Sequence, residues 1–182
     1  MTGGHPEGGR LCSEGDAMKQ CIIILIILCV LSVTSWAGLN EGLDAFDRHD
    51  YTTALREFLI SAPQGDAESQ YLLATMYAAG QSVTKDYTEA LRWYLRAAEQ
   101  GYARAQQMVG LMYGNGHGVE KDYVRSFFWL SLAKTRLPPG KFRDDAVQQS
   151  ALLRLFMTPE QRTQAEELIR AWKPKLETAL SR

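Results

Sequence analysis

Beyond Cys29 this 182-residue chain contains no cysteine; all three, Cys12, Cys21 and Cys29, lie near its start. That absence removes disulfides, thiolate metal sites and a thiol nucleophile from everything downstream. Histidine is nearly as scarce. His49 and His117 are the only ones past residue 37, and neither has a second histidine at ligand spacing, so both read as surface residues rather than metal ligands. Charge of one sign is missing too: from Gly38 onward there are eighteen Lys plus Arg and eighteen Asp plus Glu. Such a balance offers no basic stripe to nucleic acid and no attraction to anionic lipid. No Gly-x-Ser-x-Gly or His-Glu-x-x-His sequence occurs, which removes two common hydrolase signatures. No stretch alternates like a strand.

The longest apolar run, Ile22 to Val33, is broken only by Cys29 and Ser32. It is short of the ~20 residues a membrane-spanning helix needs. Met18 and Lys19 precede it, and Thr34-Ser35-Trp36-Ala37 follows with small residues at the −3 and −1 positions of a cut after Ala37. Residues 18–37 therefore read as a secretory signal; the alternative is an uncleaved anchor over residues 21–36. A lipoprotein signal fits poorly, because Leu28 stands where a small residue should precede Cys29. Residues 1–17 are Gly-rich without apolar period and read as a start assigned too early, with Met18 the real one, or as a disordered leader. Cutting after Ala37 leaves 145 residues, enough for one domain with a core.

Inside that domain the chain repeats itself. Residues 67–102 laid over 103–138 match at Ala67/Ala103, Gln70/Gln106, Met76/Met112, Tyr77/Tyr113, Gly80/Gly116, Val83/Val119, Lys85/Lys121, Asp86/Asp122, Tyr87/Tyr123, Trp93/Trp129 and Ala97/Ala133. Chance would supply roughly two or three of these identities. A fixed period of this length signals stacked units that cannot bury their own apolar faces.

Each unit reads as a helical hairpin. Helices are expected over Ala67–Ala78, Thr88–Glu99, Ala103–Tyr113 and Tyr123–Lys134, with Asp86 and Asp122 as N-caps and Glu89 closing a capping box. Gly80 and Gly116 fall just past the first helices, where the left-handed conformation is needed. Val83 and Val119 read as loop plugs. Tyr77, Tyr87, Trp93, Tyr113, Tyr123 and Trp129 supply the large core side chains, and Ala74/Gly110 the close helix approach. Gly114-Asn115-Gly116-His117-Gly118 follows a helix rather than a strand, so helix termination explains it better than a phosphate loop. The recurrence of Lys85-Asp86 as Lys121-Asp122 favours a structural cap over a catalytic pair.

A shortened unit lies upstream, with helices near Leu39–Arg48 and Tyr51–Ser61. Asp50, Tyr51, Ala54, Leu55, Ala62 and Gly65 align with Asp86, Tyr87, Ala90, Leu91, Ala98 and Gly101. Downstream, Pro138-Pro139-Gly140 ends the last hairpin. Asp144–Phe156 reads as an amphipathic helix. Thr158-Pro159-Glu160-Gln161 opens another that runs to about Trp172. The organisation is three hairpins over residues 38–137 (about 39–65, 66–101 and 102–137), then capping helices over 138–182.

The run from Tyr77 through Gly80, Val83-Thr84-Lys85-Asp86-Tyr87, Ala90-Leu91 and Trp93-Tyr94 to Ala97-Ala98-Glu99-Gln100-Gly101 resembles the Sel-one-like repeat, a relative of the tetratricopeptide repeat. So does Tyr113 to Ala133. The third hairpin departs from the pattern at Lys134 and Leu137-Pro138. The resemblance implies an all-α, right-handed solenoid. It also implies a non-catalytic adaptor without cofactor or metal, binding a protein or peptide, in the bacterial envelope and most simply the periplasm. Outward positions on the first helix of each pair would line the concave groove: Glu68, Tyr71, Thr75 and Ala79, then Arg104, Gln107, Leu111 and Asn115. Two alternatives stand beside it. One is a scaffold in polysaccharide export or cell-wall assembly. The other is a hydrolase of the cysteine-rich, β-lactamase-like repeat type, which the missing cysteines disfavour.

Overall fold

The structure, a computed structural model, describes residues 39–175; the expected leader, signal segment and last seven residues lie outside them. Among the described residues no strand occurs. Helix α1 covers residues 39–47. It is followed by α2 (Tyr51–Ser61), a 3-10 turn (Ala62–Gln64), α3 (Ala67–Ala79), α4 (Tyr87–Glu99), α5 (Ala103–Asn115), α6 (Tyr123–Arg136), α7 (Lys141–Phe156) and α8 (Pro159–Ala171).

Local chemistry sets the ends. The Asp86 carboxylate accepts from the N–H groups of Thr88 and Glu89 at 2.8 and 3.1 Å. Asp50, Asp66 and Asp122 cap α2, α3 and α6 the same way. Each satisfies a donor the helix cannot pair internally. Glu89 does not close a box on Asp86; its carboxylate takes Arg92 at 2.7 Å. The full box forms at Thr158, whose side chain and that of Gln161 pair reciprocally with the backbone. Gly80 and Gly116 adopt φ 75 and 77°, the left-handed caps of α3 and α5. Helix α7 starts three residues earlier than expected, at Lys141, because Gly140 rather than Asp144 breaks the chain; Asp144 sits in the first turn.

The repeat in residues is a repeat in bonds. The Gln70 side-chain amide donates to the Ala62 carbonyl at 3.0 Å, and Gln106 to that of Ala98 at 3.1 Å. Both glutamines are fully buried, and each ties one hairpin to the end of the preceding one. The Asp86 N–H reaches the Tyr77 carbonyl, and the Asp122 N–H that of Tyr113, both at 3.0 Å. Trp93, Trp129 and Tyr113 are buried in one continuous core, with Tyr77, Val83, Tyr87 and Val119 packed against it. A Cβ on Gly110 would lie 2.7 Å from Leu130, so α5 and α6 approach as closely as the small residue allows. Tyr123 corrects the expected core: it is 37% exposed. Its counterpart Tyr87 is covered by the His117 ring, stacked at 4.8 Å. Among the described residues no following loop does this for Tyr123.

Hairpins α3–α4 and α5–α6 stack in order, and α7 packs on α6 where the next unit would begin. Helix α8 packs on α6, with Ala165 against Val124 and Phe127. The chain then returns along the array. Trp172 lies under the Arg136 guanidinium at 4.4 Å, and the Lys175 N–H reaches the Glu99 carbonyl at 2.8 Å. The architecture is the right-handed α-solenoid with C-terminal capping helices.

Candidate partner-binding face

Helices α3 and α5 carry the residues expected to face a groove, and the structure divides them into two groups. The first centres on Tyr71, half-buried on α3. Its ring lies 5.6 Å from Tyr94 and 5.2 Å from Tyr102, an aromatic shelf within the spacing at which rings attract. The Thr75 hydroxyl donates to the Tyr71 carbonyl at 2.9 Å, which leaves its oxygen to accept from the Tyr94 hydroxyl, also at 2.9 Å. The exposed side chains Glu68 and Arg104 flank Tyr102 with opposite charge. Burial first, then the Glu68 carboxylate, push the Tyr102 phenol up to about 12, while Arg104 opposes the shift. Burial also raises Tyr94. Both phenols therefore stay neutral hydrogen-bonding groups at physiological pH. Ala79, at the end of α3, is exposed.

The second group meets α7. Arg104, from the first group, reaches across to it: its guanidinium lies 5.0 Å from the Phe142 ring. Gln107, expected to point outward, is 5% exposed; its side-chain amide donates to the Phe142 carbonyl at 3.0 Å. It is a tether for α7, because α7 fills the place of a further first helix and covers this part of α5. Leu111 and Asn115 line a cavity of about 280 Å³ with Tyr123, Leu130, Leu152 and Phe156. Glu68, Tyr71, Thr75 and Arg104 are thus gathered at one place, and Leu111 and Asn115 at another.

Sequence reasoning missed Tyr102 and Phe142. The partner of Tyr102 in the repeat alignment is Pro138, so no identity marks it. His117 is more than a surface histidine, because it seals Tyr87. His49 bonds the Tyr51 hydroxyl at 2.9 Å. Among the described residues no group of His, Cys, Asp or Glu could hold a metal ion, and no helix is long and apolar enough to cross a membrane.

The sequence profile of the Sel1 repeat matches residues 67–102 and 103–136. No curated protein sequence matches the chain. Several solved structures share its fold, two of them as follows. One is a protective antigen of uropathogenic Escherichia coli strains displaying an SLR fold, 29% identical with TM-score 0.67 over 75% of this chain and 29% of the antigen. The other is a Sel1 repeat protein from Oxalobacter formigenes, 26% identical with TM-score 0.58 over 69% of this chain and 54% of that one. The chain thus spans about a third and about half of these relatives' lengths. Sel1 repeats are typically protein–protein interaction modules, and the SLR fold is usually a non-catalytic scaffold. Residues 67–136 of this chain are two Sel1 repeats, set in an all-helical SLR fold.

Proposed function

We propose that this protein is a non-catalytic adaptor of the bacterial envelope that holds a protein or peptide partner against the α3–α5 face. The observation that carries this reading is the Tyr71–Tyr102 shelf bracketed by exposed Glu68 and Arg104. Aromatic rings give contact area at small entropic cost, and flanking charges of opposite sign fix the direction of a bound chain. Export to the periplasm is the localisation that Met18, the apolar run and the small residues before Gly38 support. Mass spectrometry of the protein from its host is expected to find a chain beginning near Gly38.

The binding test uses selection from a random peptide library on the full chain, followed by a Glu68→Lys, Arg104→Glu double variant. Both side chains are exposed, so the melting temperature should stay within a degree or so while capture of the selected peptides falls about tenfold or more. Undiminished capture by the folded double variant removes this face from the account.

A further inference from the structure

The polar groups of the α3–α5 face lack counterparts within the protein. Among the described residues neither Glu68 nor Arg104 forms an ion pair, and both are exposed. The Tyr71 and Tyr102 hydroxyls make no hydrogen bond there either, whereas that of Tyr94 pairs with Thr75 at 2.9 Å. Arg104 is braced against the Phe142 ring, which stays 50% exposed. The face therefore presents three aromatic rings, two phenol O–H donors, the N–H groups of one guanidinium and a single carboxylate. Glu68 and Arg104 also hold the same place in successive repeats, one residue after Ala67 and Ala103. The step from one hairpin to the next sets their separation, roughly 10 Å for packed helices.

We propose that the segment held here is an extended, proline-bearing peptide with an acidic and a basic side chain three residues apart. The acid meets Arg104, the base meets Glu68, and the prolines between them lie on the Tyr71 and Tyr102 rings. This rests on the reading of α3–α5 as the binding face and adds the class of partner. Prolines offer carbonyl acceptors and no N–H, so the peptide can accept from both phenols without stranding a donor against them. Their rings pack on aromatic faces, and the polyproline II conformation exists before binding, so little entropy is lost. One turn of that conformation takes three residues and about 9 Å, which matches the step between Glu68 and Arg104. The other recognition modes fit less well. A helix uses its carbonyls internally and would leave the phenols unanswered. A strand finds no sheet edge to join among the described residues.

Calorimetric titration of the full chain with a capped synthetic peptide carrying the sequence Asp-Pro-Pro-Lys tests this. The expected result is saturable binding that weakens about tenfold when both prolines become alanine, and about tenfold when both charged residues become glutamine. Arg104→Gln should cost about tenfold as well. Tyr102→Phe keeps the ring and drops the hydroxyl, and should cost about threefold or more. Both variants should fold as the parent does, because the Arg104 side chain is exposed and the Tyr102 hydroxyl is unpaired among the described residues. No binding overturns the proposal, and so does equal binding of the proline and alanine peptides. The face itself then still stands if library-selected peptides without proline lose capture in the Glu68→Lys, Arg104→Glu variant. A proline peptide that binds yet ignores both Arg104→Gln and Tyr102→Phe overturns the proposal and the face together.

Discussion

Gly118 and Ser82 stand at the same place in successive loops, and both have positive φ, 70 and 55°. Each loop touches the start of the preceding unit's second helix. Ser82 meets Thr52 through their hydroxyls at 3.3 Å, and Gly118 lies against the Tyr87 carbonyl. The glycine thus serves a close backbone approach as well as the helix ending expected of it. Gly118→Ala combines a collision with backbone and a strained φ, and should lower stability by about 2 kcal/mol or more in urea titration. Asp86→Ala removes the acceptor for two amides and should lose about 1 kcal/mol by the same measurement. The role of Asp86 was legible in the residues, because a cap needs only local chain. The approach of Gly118 to Tyr87 was not: the contact joins residues in different hairpins, and only stacking brings them together. Gln70 and Gln106 show the same divide. Their identity marked them as important, yet their bonds to Ala62 and Ala98 depend on how one hairpin meets another.

Helix limits followed local signals closely. Helix α2 runs Tyr51–Ser61 as read. Helix α5 extends two residues past its expected end, up to the Gly116 cap. The terminal helices behave differently from their sequence. Their amphipathic pattern announced helices, but not that α8 would lie on α6 while the following segment returned to the α4–α5 turn. Trp172 packs beside Gly101 and under Arg136, and Lys175 pairs with Glu99 at 3.2 Å. This strap joins the end of the chain to the middle of the array. Trp172→Ala should cost about 2 kcal/mol, given its partial burial. Hydrogen exchange is expected to quicken at the C-terminal end of α4 as well as in α8. Loss of protection confined to α8 would show that the strap does not clamp the earlier hairpin.

At the level of the molecule, stability rests on packing between few units, and three hairpins is close to the minimum for such an array. The buried phenols make one consequence measurable. Tyr94 and Tyr102 are held above the ordinary tyrosine value, Tyr102 at about 12. The unfolded chain therefore gives up these protons first, so their contribution is intact below pH ~10 and is lost as pH rises toward 12. Melting temperature should fall over that window, and less steeply in Tyr102→Phe. Residues alone determined that this protein is a helical repeat whose chain beyond Cys29 holds no thiol, because periodicity, caps and the position of the cysteines are properties of the chain taken in order. The tertiary structure decided which expected groove residues remain open. Docking of α7 withdrew Gln107 and moved Leu111 and Asn115 into a cavity, while Tyr102 joined Tyr71. Those outcomes turn on where the final helices come to rest, and burial between distant segments is a property of the packed molecule.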